Sequence, residues 1–238
     1  MKKENDYRCV LFDLDGTLTD SAPGIINSIV YALRKFNIEV EDRSTLYSFV
    51  GPPLIESFMK YFDFTKEQAV TAVVYYREYF AVTGIFENSV YDGIPELLEG
   101  LKKAGKKLVL ATSKPQEFAE RILEHFGLAH YFDFVFGATM DEKRTKKTDV
   151  IAYAYNELRK NLPEVFATDA ADEKTDAEGR KKMIMVGDRE NDITGATCNG
   201  IASIGVLYGF GSLEELEEAG AGHIAATPAD VLTAVLSE

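Results

Sequence analysis

The chain has 238 residues, of which 46% are hydrophobic and 27% are charged, so it can bury one large core or a core with a small second unit. A formal charge of −13 argues against nucleic acid as a partner, and the sequence has no apolar run long enough to span a membrane. Two cysteines do not make a disulfide framework, and the N-terminal residues do not resemble a secretory signal. We therefore expect a cytoplasmic protein.

Short apolar runs alternate with amphipathic stretches along most of the chain. The runs predict strands at residues 8–12, 107–111, 132–136, 183–186 and 201–205. The stretches predict helices at residues 94–104, 115–126, 149–160, 192–197 and 213–219. Strands that are apolar throughout are typical of a parallel sheet covered on both faces, so we expect an α/β fold with a doubly wound parallel sheet. The charged segment 163–182 is interpreted as a solvated loop.

The stretch between the first two strands is far too long for a single crossover. It contains one helical pattern after Ser21, a candidate N-cap, and a second pattern after a capping box that begins at Thr65. We interpret residues 22–88 as a separate helical unit, inserted into a core formed by residues 1–21 and 89–238. The alternative is that these helices simply extend the core.

Two aspartates follow the first strand, one residue apart. Asp13 and Asp15 point the same way in extended backbone, and Gly16 lets the chain turn close to a ligand. Neighbouring carboxylates repel each other unless a cation or a proton lies between them, so this pair predicts a divalent metal or a split acid–base pair. Oxygen ligands without His or Cys favour Mg²⁺ over Zn²⁺. The alternative is an acidic turn with no chemical role.

A second acidic motif follows the fourth predicted strand. Asp188 comes directly after Gly187, and Asp192 lies four residues further on, at the start of a helix. This spacing lets both carboxylates point the same way. The alternative for Asp192 is a charge that only complements the helix dipole.

Hydroxyl and cationic groups follow the second and third predicted strands. Thr112 and Ser113 precede a helix, where they suit a phosphate or serve as an ordinary helix cap. A basic cluster before the next helix is either an anion clamp or a solvated loop, and it consists of Lys143, Arg144, Lys146 and Lys147. Ligands of open α/β sheets bind at the carboxyl ends of the strands, so we expect all four motifs in one layer.

These motifs resemble those of the haloacid dehalogenase superfamily of phosphohydrolases, over essentially the whole chain. Residues 13–17 resemble its first motif, Thr112 its second, and residues 187–192 its fourth. Lys147 fits the third motif best, by its distance from the following helix, and Lys146 is the rival.

Within the superfamily, the sequence resembles phosphoglycolate phosphatases and a neighbouring set of bacterial 5′-nucleotidase-like enzymes. The insert 22–88 resembles their small cap domain, residues 49–54 their cap substrate loop, and residues 205–211 the segment after their last core strand. From this likeness we expect residues 49–54 to select the substrate.

The resemblance implies a Mg²⁺-dependent phosphatase that acts on a small phosphorylated metabolite, similar to phosphoglycolate or a nucleoside monophosphate. It implies that Asp13 is the nucleophile that forms an aspartyl-phosphate. It implies that Asp15 protonates the leaving alcohol and then activates water. The implied phosphate ligands are Thr112, Ser113 and Lys147, and the implied metal ligands are Asp13, Asp15 through its backbone carbonyl, Asp188 and Asp192.

Three other functions fit the same fold. A phosphomutase uses the same core chemistry but protects its aspartyl-phosphate from water. A dehalogenase typically lacks the second aspartate, so Asp15 argues against it. A binding protein without activity is the alternative from a different class, and the presence of all four motifs argues against it.

Overall fold

The computed structural model describes residues 6–141, 143–166 and 173–237. The strands are β1 Cys9–Phe12, β2 Thr19–Asp20, β3 Ser89–Val90, β4 Lys107–Pro115, β5 Phe134–Ala138, β6 Met183–Gly187, β7 Ala202–Val206 and β8 His223–Ala225. Six of them form a parallel sheet in the order β5-β4-β1-β6-β7-β8. The other two, β2 and β3, pair as a short antiparallel ribbon at the two ends of the predicted insert.

Ten α-helices are found in the described residues. They are α1 Ala22–Arg34, α2 Leu54–Phe62, α3 Lys66–Phe80, α4 Ile94–Lys103, α5 Gln116–His125, α6 Lys147–Asn161, α7 Glu173–Arg180, α8 Glu190–Cys198, α9 Leu213–Glu218 and α10 Pro228–Leu236. Short 3₁₀ segments lie at Arg43–Phe49, Gly84–Phe86 and Ala129–Tyr131. Across the described parts of the chain, no helix has the length and apolar character that crossing a membrane requires.

Side chains of β1 alternate between two hydrophobic cores, one on each face of the sheet. Val10 and Phe12 pack in the core that contains α4 and α5, whereas Cys9 and Leu11 pack in the core that contains α6. Both cores are closed by helices, which is why the strands are apolar on both faces. The predicted doubly wound α/β sheet is confirmed. The central position of β1 brings its carboxyl end beside those of β4 and β6.

The predicted insert consists of α1, α2, α3 and two 3₁₀ segments. The predicted capping box is confirmed, because the Gln68 amide donates to Thr65 Oγ1 at 3.2 Å and the Thr65 amide donates to Gln68 Oε1 at 2.9 Å. Ser21 occupies the N-cap position of α1, as predicted, but its side chain makes no capping hydrogen bond. Buried residues of the insert and of one sheet face form one continuous apolar cluster. The boundary 22–88 therefore stays a prediction.

Several elements differ from the sequence-based prediction. Helices α2 and α10 and strand β8 were not predicted, although Thr227 and Asp230 form a capping box at the start of α10, where Pro228 lies in the first turn. The predicted loop 163–182 is wrong where α7 forms, and residues 167–172 of that loop lie outside the described residues. The third predicted strand begins two residues later, as β5. Helix α7 has few apolar residues and β8 has only three residues, so neither gives a clear periodic pattern.

Candidate active site

Asp13 and Asp15 lie at the carboxyl end of β1, and both are buried. The Asp13 amide donates to the Val186 carbonyl at 3.0 Å, which continues the pairing of β1 with β6 by one residue. Gly16 then turns the chain with a φ of 81°, a conformation that favours glycine. A Cβ atom at Gly16 would overlap the carboxylate of Asp188. The first and fourth motifs are therefore in direct contact.

Asp188 and Asp192 approach Asp13 from the end of β6 and the first turn of α8. One carboxylate oxygen from each of these three residues lies within 4.8 Å of the others. Asp188 accepts hydrogen bonds from the Thr17 hydroxyl at 3.2 Å and from the Phe210 amide at 2.8 Å. These two bonds fix the Asp188 carboxylate. The two acidic motifs therefore lie close together, as predicted.

Lys147 is the first residue of α6, and its side chain is buried against the carboxylates of Asp13 and Asp192. Its Nζ lies 2.8 Å from Asp13 Oδ1 and 2.8 Å from Asp192 Oδ1, and it donates to the Ala111 carbonyl at 3.0 Å. A Cβ atom at Gly195 would lie only 2.9 Å from Lys147 Cγ, so α8 must carry a glycine there. We call Asp13, Asp188, Asp192 and Lys147 the acidic floor.

Lys146, the rival for the third motif, is exposed and precedes the first turn of α6. The rest of the predicted anion clamp also lies outside the floor. Lys143 is exposed and pairs with Asp141, and Arg144 donates to the Gly137 carbonyl. Of these four residues, only Lys147 reaches the carboxylates. The other three precede α6, and Lys146 has extended backbone, so they are not directed at the floor by the helix.

Burial and repulsion perturb the titration of the acidic floor. Burial, followed by the charge of Asp192, raises the pKa of Asp188 well above its ordinary value. Burial raises the pKa of Asp192 to about 6, although Lys147 opposes that shift. For Lys147, burial acts to lower the pKa, but the charges of Asp13 and Asp192 outweigh it and the pKa is raised. One ammonium thus does not balance three carboxylates.

The acidic floor fits a hard divalent cation. Asp13 Oδ1 and Asp192 Oδ1 are buried and accept no well-aligned hydrogen bond, since their contacts with Lys147 are ion pairs. The three aspartates offer only oxygen ligands, as Mg²⁺ prefers. Asp13, Asp188 and Asp192 are the residues whose side chains could hold it. The carboxylate of Asp15 is not part of this cluster, and its predicted contact is through the backbone carbonyl.

The side chain of Asp15 instead forms a buried ion pair that the sequence did not predict. Lys114 Nζ donates to both oxygens of Asp15 at 2.8 Å and lies 4.7 Å from the centre of the Phe80 ring. We call Asp15 and Lys114 the wall pair. The sequence offered one signal for Lys114, its position after the second strand beside Thr112 and Ser113.

The two hydroxyls after the second strand do not cap a helix. Pro115 is the residue that precedes α5, and neither hydroxyl accepts a hydrogen bond from that helix. Thr112 is buried, and its Oγ1 accepts the Lys114 amide at 3.2 Å. Ser113 is half-buried and lines the cleft beside Asp15. The helix-cap alternative is therefore excluded, and a phosphate-binding role stays a prediction.

A cleft lined by residues of the insert and of the core opens above the wall pair. The insert contributes Phe49, Gly51, Tyr76 and Phe80 to its lining, and the core contributes Phe118. Aromatic and apolar walls with a few polar groups are typical of small-molecule sites. The cleft therefore offers space for an organic group next to Asp15.

The family of the chain follows from its similarity to known proteins. A family model described as haloacid dehalogenase-like hydrolase matches residues 10–206, which include all four motifs. The chain belongs to the haloacid dehalogenase-like hydrolases. The predicted resemblance is confirmed, and so is the expected class of enzyme, a phosphatase of this family.

Three relatives of this hydrolase carry different names. A 5′-nucleotidase from Pseudomonas aeruginosa is 43% identical over 212 residues, which are 88% of this chain and 87% of the relative. Tyrosine-protein kinase PtkA from Mycobacterium tuberculosis is 38% identical, and the match covers 88% of this chain but 65% of that protein. A phosphoglycolate phosphatase from Colwellia psychrerythraea is 29% identical and matches over 92% of each chain.

A solved structure agrees with the fold of this hydrolase. The crystal structure of a predicted phosphatase from Clostridium acetobutylicum superposes with a TM-score of 0.88 at 50% sequence identity. The match covers 98% of this chain and 99% of the other. The two chains therefore share the insert as well as the sheet.

Proposed function

We propose that this hydrolase removes phosphate from small phosphomonoesters, with Mg²⁺ and through an aspartyl-phosphate on Asp13. The observation that supports this most is the acidic floor, in which three buried carboxylates within 4.8 Å meet one lysine. The wall pair lies beside it and faces the cleft. Such an arrangement offers a nucleophile, an acid–base group and a place for a leaving group in one layer.

In the first step, a carboxylate oxygen of Asp13 forms a bond to phosphorus while the bond from phosphorus to the ester oxygen breaks. Asp15, which must carry a proton when the substrate binds, gives that proton to the departing alcohol. Lys147 lies 2.8 Å from Asp13 and supplies a fixed positive charge where the phosphoryl group arrives. Positioning and charge neutralisation are the main requirements of phosphoryl transfer.

In the second step, Asp15 takes a proton from water, which attacks phosphorus and releases Asp13 and inorganic phosphate. A covalent intermediate divides one difficult displacement into two easier ones. Both oxygens of Asp15 accept hydrogen bonds from Lys114, so the carboxyl group is held in place at the wall of the cleft. In this step Asp15 acts as the general base.

A divalent cation would be held by Asp13 and Asp188, with Asp192 beside them. When bound, it supplies charge neutralisation and Lewis-acid activation of the phosphoryl group. The excess of buried carboxylates over lysine supports this assignment. It also supports Mg²⁺, because oxygen ligands suit a hard cation.

The leaving group would occupy the cleft between the insert and the core. We infer that residues 22–88 act as a cap and that the loop at 49–54 contributes to selectivity, because Phe49, Gly51 and Leu54 line the cleft. The relatives named 5′-nucleotidase and phosphoglycolate phosphatase support a small organic phosphate. Aromatic walls favour a leaving group with an apolar surface.

The proposal is tested by phosphate release from a panel of phosphoglycolate, nucleoside monophosphates, sugar phosphates and p-nitrophenyl phosphate, with and without Mg²⁺. We expect hydrolysis that requires Mg²⁺. We expect Asp13→Asn to lower the rate by about 10⁴-fold or more, because the covalent nucleophile is lost. Acid quenching of the wild-type reaction should trap one phosphate on Asp13, located by peptide mass spectrometry.

Asp141→Asn is the matched control, since Asp141 is an exposed aspartate outside the floor. It should hydrolyse the panel at the wild-type rate. An Asp13→Asn variant that keeps its activity would contradict the proposal. Isomerisation of a sugar phosphate without phosphate release would support the phosphomutase alternative, and phosphate transfer from ATP to protein tyrosine would support the function that the PtkA relative is named for.

A further inference from the structure

Arg189 follows Asp188 directly, and its side chain leaves the core. Its Nη1 donates to the carbonyl of Val50, a residue of the insert, at 2.8 Å. Its Nε forms an ion pair with Glu215 Oε1 at 2.8 Å. The arginine side chain is 17% exposed, so water competes weakly for these partners. One residue therefore connects the loop that carries Asp188 with the insert.

Glu215 fixes the orientation of Arg189. It lies in α9, and its Oε1 also accepts the backbone amide of Glu190 at 2.8 Å. The glutamate thus holds both the side chain of Arg189 and the backbone that follows it. An arginine held at Nε has little freedom in how Nη1 points.

The insert segment that Arg189 contacts is the loop between the 3₁₀ segment Arg43–Phe49 and α2. Gly51 in this loop has a φ of 103°, and a Cβ atom there would lie 3.2 Å from Arg189 Cγ. Arg189 thus packs on the loop and also bonds to it. The neighbours Phe49, Gly51 and Pro52 line the cleft.

A second contact joins the same two parts of the molecule. The Phe210 amide donates to Asp188 Oδ2 at 2.8 Å, and the ring of Phe210 lies 6.1 Å from that of Tyr47. Arg189, which follows Asp188, and Phe210, whose amide bonds to it, therefore both contact residues 47–51 of the insert. Arg189 differs from Phe210 in making directional, charged contacts.

We propose that Arg189 is a positioning residue that holds the insert loop 50–53 against the Asp188 loop, with Glu215 as its anchor. This keeps one wall of the cleft in place over the leaving group. The expected kinetic effects of this inference rest on the proposed function. The contact between the two loops, in contrast, is a property of the folded chain. Arg189 acts through the loop and not on the reacting atoms.

Two measurements test this proposal on Arg189→Met, Arg189→Lys and Glu215→Gln. The first is hydrogen–deuterium exchange of peptides that cover residues 47–54, which needs no substrate. We expect exchange to become about tenfold faster in Arg189→Met, since a hydrogen bond to a charged group is lost. Glu215→Gln and Arg189→Lys should give smaller increases, because each keeps part of the contact.

The second measurement is the KM and kcat for two esters with leaving groups of different size. For p-nitrophenyl phosphate, whose aromatic leaving group we expect to contact the cleft walls, Arg189→Met should raise KM about tenfold with little change in kcat. For phosphoglycolate, whose leaving group is small, KM should stay within about twofold. The Mg²⁺ dissociation constant should stay within about threefold of the wild-type value.

Glu217→Gln and Arg34→Met are the matched controls, because both residues are exposed. Unchanged exchange at residues 47–54 in Arg189→Met would overturn the proposal. Equal increases in KM for both esters, together with weaker Mg²⁺ binding, would also overturn it and assign Arg189 to the metal loop alone. If the wild-type protein hydrolyses neither ester, the proposed function fails, while the exchange measurement still decides whether the contact between the two loops exists.

Discussion

The acidic floor and the wall pair are built from the same two residue types but differ in charge balance. The floor combines three carboxylates with Lys147, whereas the wall pair combines Asp15 with Lys114 alone. Burial is nearly complete in both. The difference therefore lies in stoichiometry and not in solvent exposure.

This difference separates two chemical roles. An unbalanced buried cluster must take up a proton or a cation, because like charges at short distance raise one another's pKa. A balanced pair already satisfies both of its charges and gains nothing from a metal. The floor is thus suited to bind a cation and the wall pair to hold one carboxylate in place. Variants of each cluster should consequently behave differently.

The largest contrast is expected from Asp188→Asn, which removes one charge from the floor. Activity should fall by about 10²–10³-fold, because charge stabilisation at the phosphoryl group is weakened. The midpoint of thermal unfolding should rise with Mg²⁺ in the wild-type protein and stay constant in the variant. In EDTA the variant should unfold at a higher temperature than the wild-type protein, since a buried repulsion is gone.

Asp141→Asn serves as the control, since its exposed carboxylate is remote from this repulsion. It should keep the Mg²⁺-dependent rise in the unfolding temperature. If Mg²⁺ still raised the unfolding temperature of Asp188→Asn, the acidic floor would not be the cation site.

A smaller and different effect is expected from Lys114→Met, which breaks the wall pair. Asp15 would lose both hydrogen bonds that hold it as a base, so hydrolysis of the aspartyl-phosphate should slow by about tenfold or more. Stopped-flow measurements with p-nitrophenyl phosphate should then show a burst of about one nitrophenolate per active site, followed by slow turnover.

Lys146→Met is the matched control, because Lys146 is an exposed lysine near the same cleft layer. It should show no new burst. Slow turnover of Lys114→Met without a burst would mean that the first step, and not the second, depends on this lysine.

The smallest effect is a pH dependence of stability in the metal-free protein. The folded-state pKa of Asp192 is about 6, compared with an ordinary value of 3.8, so the folded protein binds more protons than the unfolded chain between these values. The free energy of unfolding contributed by Asp192 therefore falls as the pH rises from about 4 to about 6. Thermal unfolding in EDTA should show this decline, and saturating Mg²⁺ should offset it.

To isolate this effect, the unfolding temperatures of the wild-type protein and of Asp192→Asn are compared across the same pH range. Other carboxylates act in the opposite direction. Hydrogen bonds from Lys102 and Lys107 lower the pKa of Asp133 despite its partial burial, so its contribution is lost as the pH falls. If the unfolding temperatures of the two proteins changed with pH in parallel, Asp192 would have the same pKa in the folded and the unfolded state.

Sequence patterns predicted the sheet better than the elements at its margins. The strands β1, β4, β6 and β7 are apolar on both faces, and this gives a strong signal in the sequence. Helix α7 has few apolar residues, and β8 has only three residues, so neither repeats a pattern long enough to recognise. Helix α10 begins at a capping box, Thr227 and Asp230, which is a local signal in the sequence.

The candidate site was predicted where its residues follow buried strands directly. Asp13 and Asp188 are such residues, and the convergence of their carboxylates follows from the parallel order of β1 and β6. Lys114 and Arg189 were not predicted, although each stands next to a motif residue. Their partners, Asp15 and Val50, are distant in the chain, so no local pattern records the contact.

The sequence by itself determined which ends of which strands carry carboxylates, hydroxyls and lysines, because burial on both faces and the turn chemistry are local properties. Only the tertiary structure decided that Lys147 and not Lys146 enters the acidic floor, and that Lys114 holds Asp15. The direction of a side chain depends on where a helix begins and on how closely its neighbour packs, as Gly195 allows for Lys147.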